Sequence, residues 1–432
     1  MPVKRLHFEI EKIGLFQIFI VLVLFLYAAV SEFAGYIFPS SKILIWMIFP
    51  AVLSILGVII FWHILNIELI FYVAFMLAVY FFHNYYIEEH IYYQPLLFTS
   101  IILAGYISDR TIKWVEYLVP MLRAAYIFYA VCTIVFWFTP SFYLGTVVNL
   151  FPETRTRLIE WYNSGCMAGL SSHYSVNAIY IANGLIMEVS RIFAVHRVKK
   201  HQILLVILMG AALLLTGKRG HIIFTAAAVF AIYWYYNEKK MRLLNAIRFL
   251  ITGACVAVVI FSVFPVLGVF IERFQEQIRA GNILTNRWMF WKLAFQKFSE
   301  HPVIGIGWGQ FLAESDEVLD YMAHVHNVYI QLLCETGIVG FGIYVSWIVI
   351  RLREAVRLFV FSRKFWRDIP YRIRWSLIYS LCFQVFFVLY GFTGNPLYDA
   401  IVFIPYIIAC SITIYYGKGL IRHRKVVGIK SV

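Results

Sequence analysis

Residues 115–138, VEYLVPMLRAAYIFYAVCTIVFWF, decide which kind of fold this chain can adopt. Glu116 and Arg123 are the only charged side chains in the stretch. Crossing the hydrocarbon layer of a membrane, which is about 30 Å thick, takes roughly 17–25 mostly apolar residues in helical conformation. The stretch therefore predicts a membrane-spanning helix.

Similar apolar stretches recur along the whole chain. Of its 432 residues, 62% are apolar and only 14% are charged, so a soluble globule of this size would lack the polar surface to cover itself. We predict an all-α, polytopic integral membrane protein with about 12 transmembrane helices. The predicted spans are 13–30, 43–62, 67–82, 93–107, 115–138, 172–190, 201–215, 219–236, 247–270, 327–350, 374–392 and 397–417.

Lysine and arginine set the predicted orientation, because cytoplasmic loops carry an excess of these residues. Most of the 37 basic residues fall at the N-terminus, in the even-numbered loops between predicted spans, and in the C-terminal tail. Both termini are therefore expected in the cytoplasm. The net charge of +14 then reflects topology and contact with anionic lipid headgroups. Nucleic-acid binding would require basic residues clustered on a soluble domain, and the sequence predicts no such domain.

The chain is expected to form one membrane domain, residues 1–432, with two long outward loops. These loops cover residues 139–171 and 271–326, and they give soluble chemistry the most room. The two halves of the chain show no obvious duplication of the kind that many transporters have.

A short amphipathic helix is predicted inside the 271–326 loop. In TNRWMFWKLAFQKFSEHP, Trp288, Trp291, Phe295 and Phe298 recur at helical spacing on one face. An aromatic face of this kind is typical of a helix that lies in the headgroup layer. The GIGWGQF segment that follows favours a tight turn, because no strand precedes its glycines as a phosphate-binding loop requires.

Polar motifs from distant parts of the chain share the predicted outer face: LTGKRGH, NRW, HVHN and GNPLYD. Arg219 and Arg287 oppose the charge bias that sets the orientation, so their position needs an explanation. Two guanidinium groups are suited to binding a diphosphate, since each pairs with phosphate in a bidentate way. The alternative is a headgroup contact for Arg219 and an interfacial anchor for Arg287.

The HVHN motif places two histidines before an apolar helical run. His326 is the candidate general base, because neutral imidazole titrates near working pH and can take a proton from a sugar hydroxyl. Asn327 would orient a ligand or cap the helix, and His324 is either a further substrate contact or an ordinary surface group. A metal site is the other reading, in which the two histidines join three nearby carboxylates, Asp316, Glu317 and Asp320.

Four weaker candidates complete the set. His173, in GLSSHYS at the outer end of the sixth span, is a contact to the acceptor or a boundary residue. Glu335 lies about two turns into the tenth span, where an ionisable group is costly; it is functional or it ties helices together. Tyr398 and Asp399 close a turn or act directly on the substrate.

Taken in order, three segments resemble the O-antigen ligase and O-antigen polymerase superfamily of bacterial membrane glycosyltransferases. They are LTGKRGH, NRWMFWKLAFQKFSEHPVIGIGWGQF and HVHNVYIQLLCETGIVG. The resemblance spans residues 216–340, and GLSSHYSVNA is also similar to a segment that many polymerases carry. Lys218 stands where the family often has serine, which indicates an added phosphate contact or a different donor.

The resemblance implies a transferase that needs no metal or cofactor, in the bacterial cytoplasmic membrane with its active site facing outward. Donor and acceptor would both be oligosaccharides on undecaprenyl diphosphate, and a chain-length regulator and a flippase would be partners. Arg219 and Arg287 would bind the diphosphate as it leaves. His326 would deprotonate the acceptor hydroxyl, and in-line displacement would invert the anomeric carbon.

Two activities share this chemistry. A polymerase joins lipid-linked repeat units into an O-antigen, capsule or exopolysaccharide, whereas a ligase moves the finished glycan to lipid A core or to a protein. The GLSSHYS segment and the modest outer loops favour the polymerase. A lipid-glycan flippase is the alternative from another class, and it would concentrate ionisable residues at mid-membrane, where this chain has only Arg123, Glu188 and Glu335.

Overall fold

The computed structural model describes residues 15–30, 114–195, 197–236, 241–263, 275, 287–366 and 368–427. Within these residues the regular structure is helical and contains no strand, which confirms the all-α prediction for this part of the chain. The predicted spans 43–62, 67–82 and 93–107 lie outside the described residues, as do residues 271–274 and 276–286 of the second outer loop.

The described helices follow the predicted pattern closely. They are α1 (Leu15–Phe25), α2 (Val115–Phe138), α3 (Arg155–Asn163), α4 (Tyr174–Ala194), α5 (Lys200–Leu215), α6 (Arg219–Tyr236), α7 (Arg242–Val263), α8 (Arg287–Glu300), α9 (Gln310–Leu319), α10 (Val328–Lys364), α11 (Tyr371–Tyr390) and α12 (Ala400–Val427). A π-helical turn, Leu26–Val30, continues α1. Short helical turns, Pro140–Phe142, Tyr143–Val147, Val148–Leu150 and Pro152–Thr154, lead from α2 to α3.

Among the described residues, four helices are long and apolar enough to cross a membrane. They are Val115–Phe138, Val328–Arg363, Tyr371–Tyr390 and Ala400–Gly417. These helices coincide with four of the predicted spans. The total of about 12 spans and the cytoplasmic position of both termini stay predictions.

Helix α11 lies at the centre of the described bundle, where it packs against α4, α6, α10 and α12. Phe387 stacks on Tyr406 of α12, with 3.8 Å between the ring centroids. Polar side chains also join the helices: Tyr379 donates a 2.9 Å hydrogen bond to Asn183 of α4, which donates to Tyr126 of α2 at 3.2 Å. Buried polar pairs of this kind are typical contacts between membrane helices, where hydrophobic burial gives little drive to associate.

Two of the mid-membrane ionisable residues are paired in the structure. The fully buried Glu188 carboxylate of α4 accepts from Arg123 of α2 and forms a 3.0 Å ion pair with Arg191. Arg191 also donates to the Tyr371 hydroxyl of α11 at 2.9 Å. Glu188 therefore ties α2, α4 and α11 together.

Helix α10 is broken at Gly337, which has φ 62° and ψ −170°. The break frees the carbonyls of Cys334 and Glu335 from helical hydrogen bonding. Ile306 and Gly307 of the preceding loop donate to them, with N···O distances of 3.1 and 2.9 Å. The GIGWGQF segment is thereby joined backbone to backbone with the first part of α10.

Glycines make this close approach possible. Gly305, Gly307 and Gly309 all have positive φ, at 74°, 111° and 79°, so the segment is a succession of turns, as predicted. A Cβ on Gly305 would overlap the Glu335 backbone, and a Cβ on Gly337 would overlap the loop from the other side. Both positions therefore require glycine.

The helix predicted in the 271–326 loop is present as α8, but its buried face is not the predicted aromatic one. Its place in the headgroup layer stays a prediction. Phe290, Leu293 and Ala294 are buried, and α8 packs on α10. Trp288 and Phe295 are 63% and 48% exposed. The aromatic residues are therefore divided between the protein interior and the outer surface.

Candidate active site

Three of the predicted site residues lie at or beside the N-terminal ends of helices. His173 is the N-cap of α4, Arg219 is the first residue of α6, and His326 precedes Asn327, the N-cap of α10. Arg287 is the first described residue of α8. The first turn of a helix carries unpaired N–H groups and a partial positive charge, which favour an anion and disfavour a cation. Arg219 therefore lies where the backbone favours an anion.

A tight turn between α5 and α6 presents Lys218. Gly217 adopts φ 68° after the last turn of α5, and its N–H donates to the Leu214 carbonyl at 3.0 Å. A Cβ at Gly217 would come within 2.7 Å of Cys166 Sγ. The half-buried Lys218 side chain places its Nζ 5.4 Å from the centre of the Tyr174 ring, a cation–π contact.

Electrostatic interactions show that Lys218, Arg287 and His326 are neighbours. Burial, with a further contribution from the Arg287 charge, lowers the pKa of Lys218 to about 8. Burial, with further contributions from the charges of Arg287 and Lys218, lowers the pKa of His326 to about 4. The pKa of Arg287 is also lowered by burial. Three segments that lie far apart in sequence therefore form one positively charged cluster.

His173 belongs to the same region. The charge of Lys218 acts on its ring, and its Nδ1 accepts a 2.9 Å hydrogen bond from the Ser175 N–H. The ring packs against Trp161 and Tyr174, with centroid distances of 4.4 and 4.5 Å. Arg219 is half-buried and directly follows Lys218 in the chain.

His326 has an unusual backbone conformation. Its φ is 56°, in the left-handed region that residues with a side chain rarely adopt. The residue is exposed at the surface, although surrounding protein atoms partly desolvate its ring and, together with the charges of Arg287 and Lys218, lower its pKa. Asn327 Oδ1 accepts from the N–H groups of Tyr329 and Ile330 at 3.1 and 3.2 Å, so this side chain caps α10. Strained backbone of this kind is often found at functional sites.

The side chain of His324 lies in a buried polar network. Its Nδ1 is 3.0 Å from Nε2 of Gln331, and its ring centroid is 5.7 Å from that of Tyr398. A direct contact of His324 with substrate stays a prediction. No group of three or more His, Cys, Asp or Glu side chains in the described part of the chain is arranged to bind a metal ion.

Glu335 is the centre of that network. Its Oε2 accepts from the Tyr398 hydroxyl at 2.6 Å and from the Gly309 N–H at 2.9 Å. Its Oε1 accepts from Gln331 Nε2 at 3.0 Å and from the Phe311 N–H at 3.3 Å. Four donors converge on two oxygens, which is the arrangement expected for an ionised carboxylate. Glu335 therefore connects the GIGWGQF segment, α10 and the start of α12.

The sequence analysis gave no role to Gln331 or Tyr390, and it placed Trp291 only on the aromatic face of the amphipathic helix. Trp291, one turn after Arg287, donates from Nε1 to the Val325 carbonyl at 3.1 Å. Tyr390, at the end of α11, interacts electrostatically with Arg287. No motif marks these residues, because their contacts join segments that are distant in sequence or hidden within an apolar helix.

Apolar helices of membrane-spanning length define a membrane protein, and its candidate site is a positively charged cluster that includes His326. A family model for O-antigen ligases matches residues 204–345, about a third of the chain. The matched range includes Lys218, Arg219, Arg287 and His326, and it confirms the resemblance to the O-antigen ligase and polymerase superfamily. No curated protein matches the sequence. The match indicates an enzyme of polysaccharide-related glycan transfer.

Proposed function

We propose that this protein polymerises undecaprenyl-diphosphate-linked oligosaccharide repeat units on the outer face of the bacterial cytoplasmic membrane. The convergence of Lys218, Arg287 and His326, with Arg219 beside Lys218, is the observation that carries the proposal. Guanidinium groups at helix N-termini bind phosphate oxygens, and a neutral imidazole accepts a proton from a hydroxyl.

In the proposed reaction, a hydroxyl of the acceptor sugar attacks the anomeric carbon of the donor. The new glycosidic bond forms as the bond from that carbon to the phosphate oxygen breaks, and the electron pair leaves with undecaprenyl diphosphate. Arg219, Arg287 and Lys218 stabilise the charge on the leaving diphosphate. His326 takes the hydroxyl proton, and attack from the opposite face inverts the anomeric carbon.

The lowered pKa of His326 is consistent with this role. With a pKa of about 4 the imidazole is neutral at pH 7 and ready to accept a proton. A bound diphosphate would offset the charges of Arg287 and Lys218, which raises the pKa of His326 and makes it a stronger base. The donor would thereby strengthen the base that its own reaction requires.

Polymerase and ligase differ in their acceptor. GLSSHYS supports the polymerase, since His173 of this segment lies within the electrostatic reach of Lys218. The ligase is the second candidate, and the description of the matching family favours it. In that case the acceptor would be lipid A core or a protein.

Purified protein in nanodiscs with a lipid-linked repeat unit and EDTA tests the proposal, with product length followed on a gel. We expect a ladder from wild type, whereas Arg219→Ala, Arg287→Ala and His326→Ala should retain only a trace rate of bond formation and give no visible ladder. Lys292→Ala is the matched control, because Lys292 is exposed on the same helix as Arg287. Glycosylation of added lipid A core without a ladder would instead establish the ligase. Movement of the lipid across the bilayer without either product would refute glycan transfer.

A further inference from the structure

The backbone around His326 is held by side chains outside the positively charged cluster. The Val325 N–H donates to Gln331 Oε1 at 3.3 Å, and the Val325 carbonyl accepts from Trp291 Nε1 at 3.1 Å. Both backbone polar groups of Val325, the residue before His326, are therefore held by side chains. These contacts fix the backbone next to His326, whose φ of 56° is one that residues with a side chain rarely adopt.

Gln331 makes three of the contacts that define this arrangement. Its Oε1 accepts from Val325, while its Nε2 contacts Nδ1 of His324 and donates to Glu335 Oε1, each at 3.0 Å. The residue is fully buried, at 0% exposure. Every polar atom of the amide therefore has a partner, and the amide has one orientation that satisfies all of them.

Glu335 determines that orientation. Its Oε1 requires a donor, so the amide nitrogen of Gln331 must face Glu335 and the amide oxygen must face Val325. Backbone N–H groups of Gly309 and Phe311 and the hydroxyl of Tyr398 hold the carboxylate in turn. The order of contacts runs from the GIGWGQF segment through Glu335 and Gln331 to the backbone N–H of Val325, the residue before His326.

We propose that Gln331, oriented by Glu335, is a positioning residue that holds the His326 imidazole against the acceptor hydroxyl. Gln331 acts through the backbone N–H of Val325, and Trp291 holds the carbonyl of the same residue from α8, the helix that carries Arg287. This contact would hold α8, which carries the diphosphate-binding Arg287, at a fixed position relative to the base His326. This inference rests on the proposed glycosyl transfer.

Gln331→Met tests the role, because methionine keeps the volume and removes the three polar contacts. A misplacement of about 1 Å costs on the order of 100-fold in rate, so kcat should fall by about that factor. The KM for the lipid-linked donor should stay unchanged, since the cations that bind the diphosphate are untouched. Gln296→Met is the matched control, because Gln296 is exposed on α8. A raised KM with unchanged kcat would overturn the proposal.

A double-mutant cycle separates positioning from general destabilisation. If Gln331 acts through His326, then Gln331→Met should cause no further loss in a His326→Ala background. An equal fractional loss in both backgrounds would overturn the proposal. Trp291→Phe, which keeps the ring and removes the donor to Val325, gives the same comparison if Gln331→Met does not fold. Trp288→Phe is its control, since Trp288 is 63% exposed.

A readout without turnover keeps this inference apart from the proposed function. Hydrogen exchange at Cε1 of His326, followed by mass spectrometry, reports the titration of the ring. In wild type the midpoint should lie near pH 4, and Gln331→Met should move it toward 6.5 as the ring leaves its desolvated position and the charges of Arg287 and Lys218. If wild type transfers no glycan while Gln331→Met shifts this midpoint, the proposed function fails and the positioning role stands. Active wild type with no effect of Gln331→Met on the midpoint or on kcat would remove the positioning role alone.

Discussion

Replacing Arg287 by glutamine should move the acid limb of the pH–activity profile toward neutral pH. In the structure, burial and the charges of Arg287 and Lys218 lower the pKa of His326 from 6.5 to about 4. This shift makes the imidazole a roughly 300-fold weaker proton acceptor. Only neutral His326 can act as base, so wild-type kcat/KM should fall as the pH drops through about 4. With one of the two charges removed, the limb should lie between about 4 and 6.5.

Initial rates at low donor concentration give kcat/KM, which reports the pKa of the free enzyme, and saturating donor gives kcat for the complex. The diphosphate offsets the positive charges, so the wild-type acid limb of kcat should lie at higher pH than that of kcat/KM. Lys292→Gln, which removes an exposed charge from the same helix as Arg287, should leave both limbs in place. An acid limb at the same pH in wild type and Arg287→Gln would refute this reasoning. So would a wild-type kcat/KM limb near pH 6.5.

Two further predictions concern stability and need no substrate. Gly337→Ala should lower the thermal unfolding temperature in detergent, because its φ of 62° and the facing backbone exclude a Cβ. Gly342→Ala should not lower it, since nothing lies within 4 Å of a Cβ added at that helical position. Equal effects of the two variants would contradict the account of the break in α10. Glu188→Ala should destabilise by about 3–5 kcal/mol, because it leaves Arg123 and Arg191 without their buried anion. A Glu188→Ala variant that unfolds like wild type would show that this ion group contributes nothing to holding α2 and α4 together.

The helical fold was accessible from sequence because apolar stretches of membrane length leave few alternatives. The bounds of α2 and α6 agree with the predicted spans. The break at Gly337 was not predicted, since one glycine in an apolar run resembles an ordinary helical position. The break is required because the GIGWGQF segment packs against α10 at this point, and such a tertiary contact cannot be read from the local sequence.

The candidate site divides in a similar way. The sequence predicted Arg219, Arg287 and His326 as site residues, because ionisable groups at a membrane are costly and so indicate a function. The positive φ of His326 could not be predicted from HVHN, since Trp291 and Gln331, which hold the backbone carbonyl and N–H of the preceding Val325, come from other parts of the fold. Sequence thus indicates which groups act, whereas their support comes from contacts that only the folded chain creates.

The release of undecaprenyl diphosphate per glycosidic bond formed tests the central claim most directly. Purified wild type and His326→Ala would be compared on the same lipid-linked repeat unit. The account predicts one diphosphate released for each bond in wild type and loss of both products in His326→Ala. Bond formation by His326→Ala at the wild-type rate, or bond formation without diphosphate release, would contradict it.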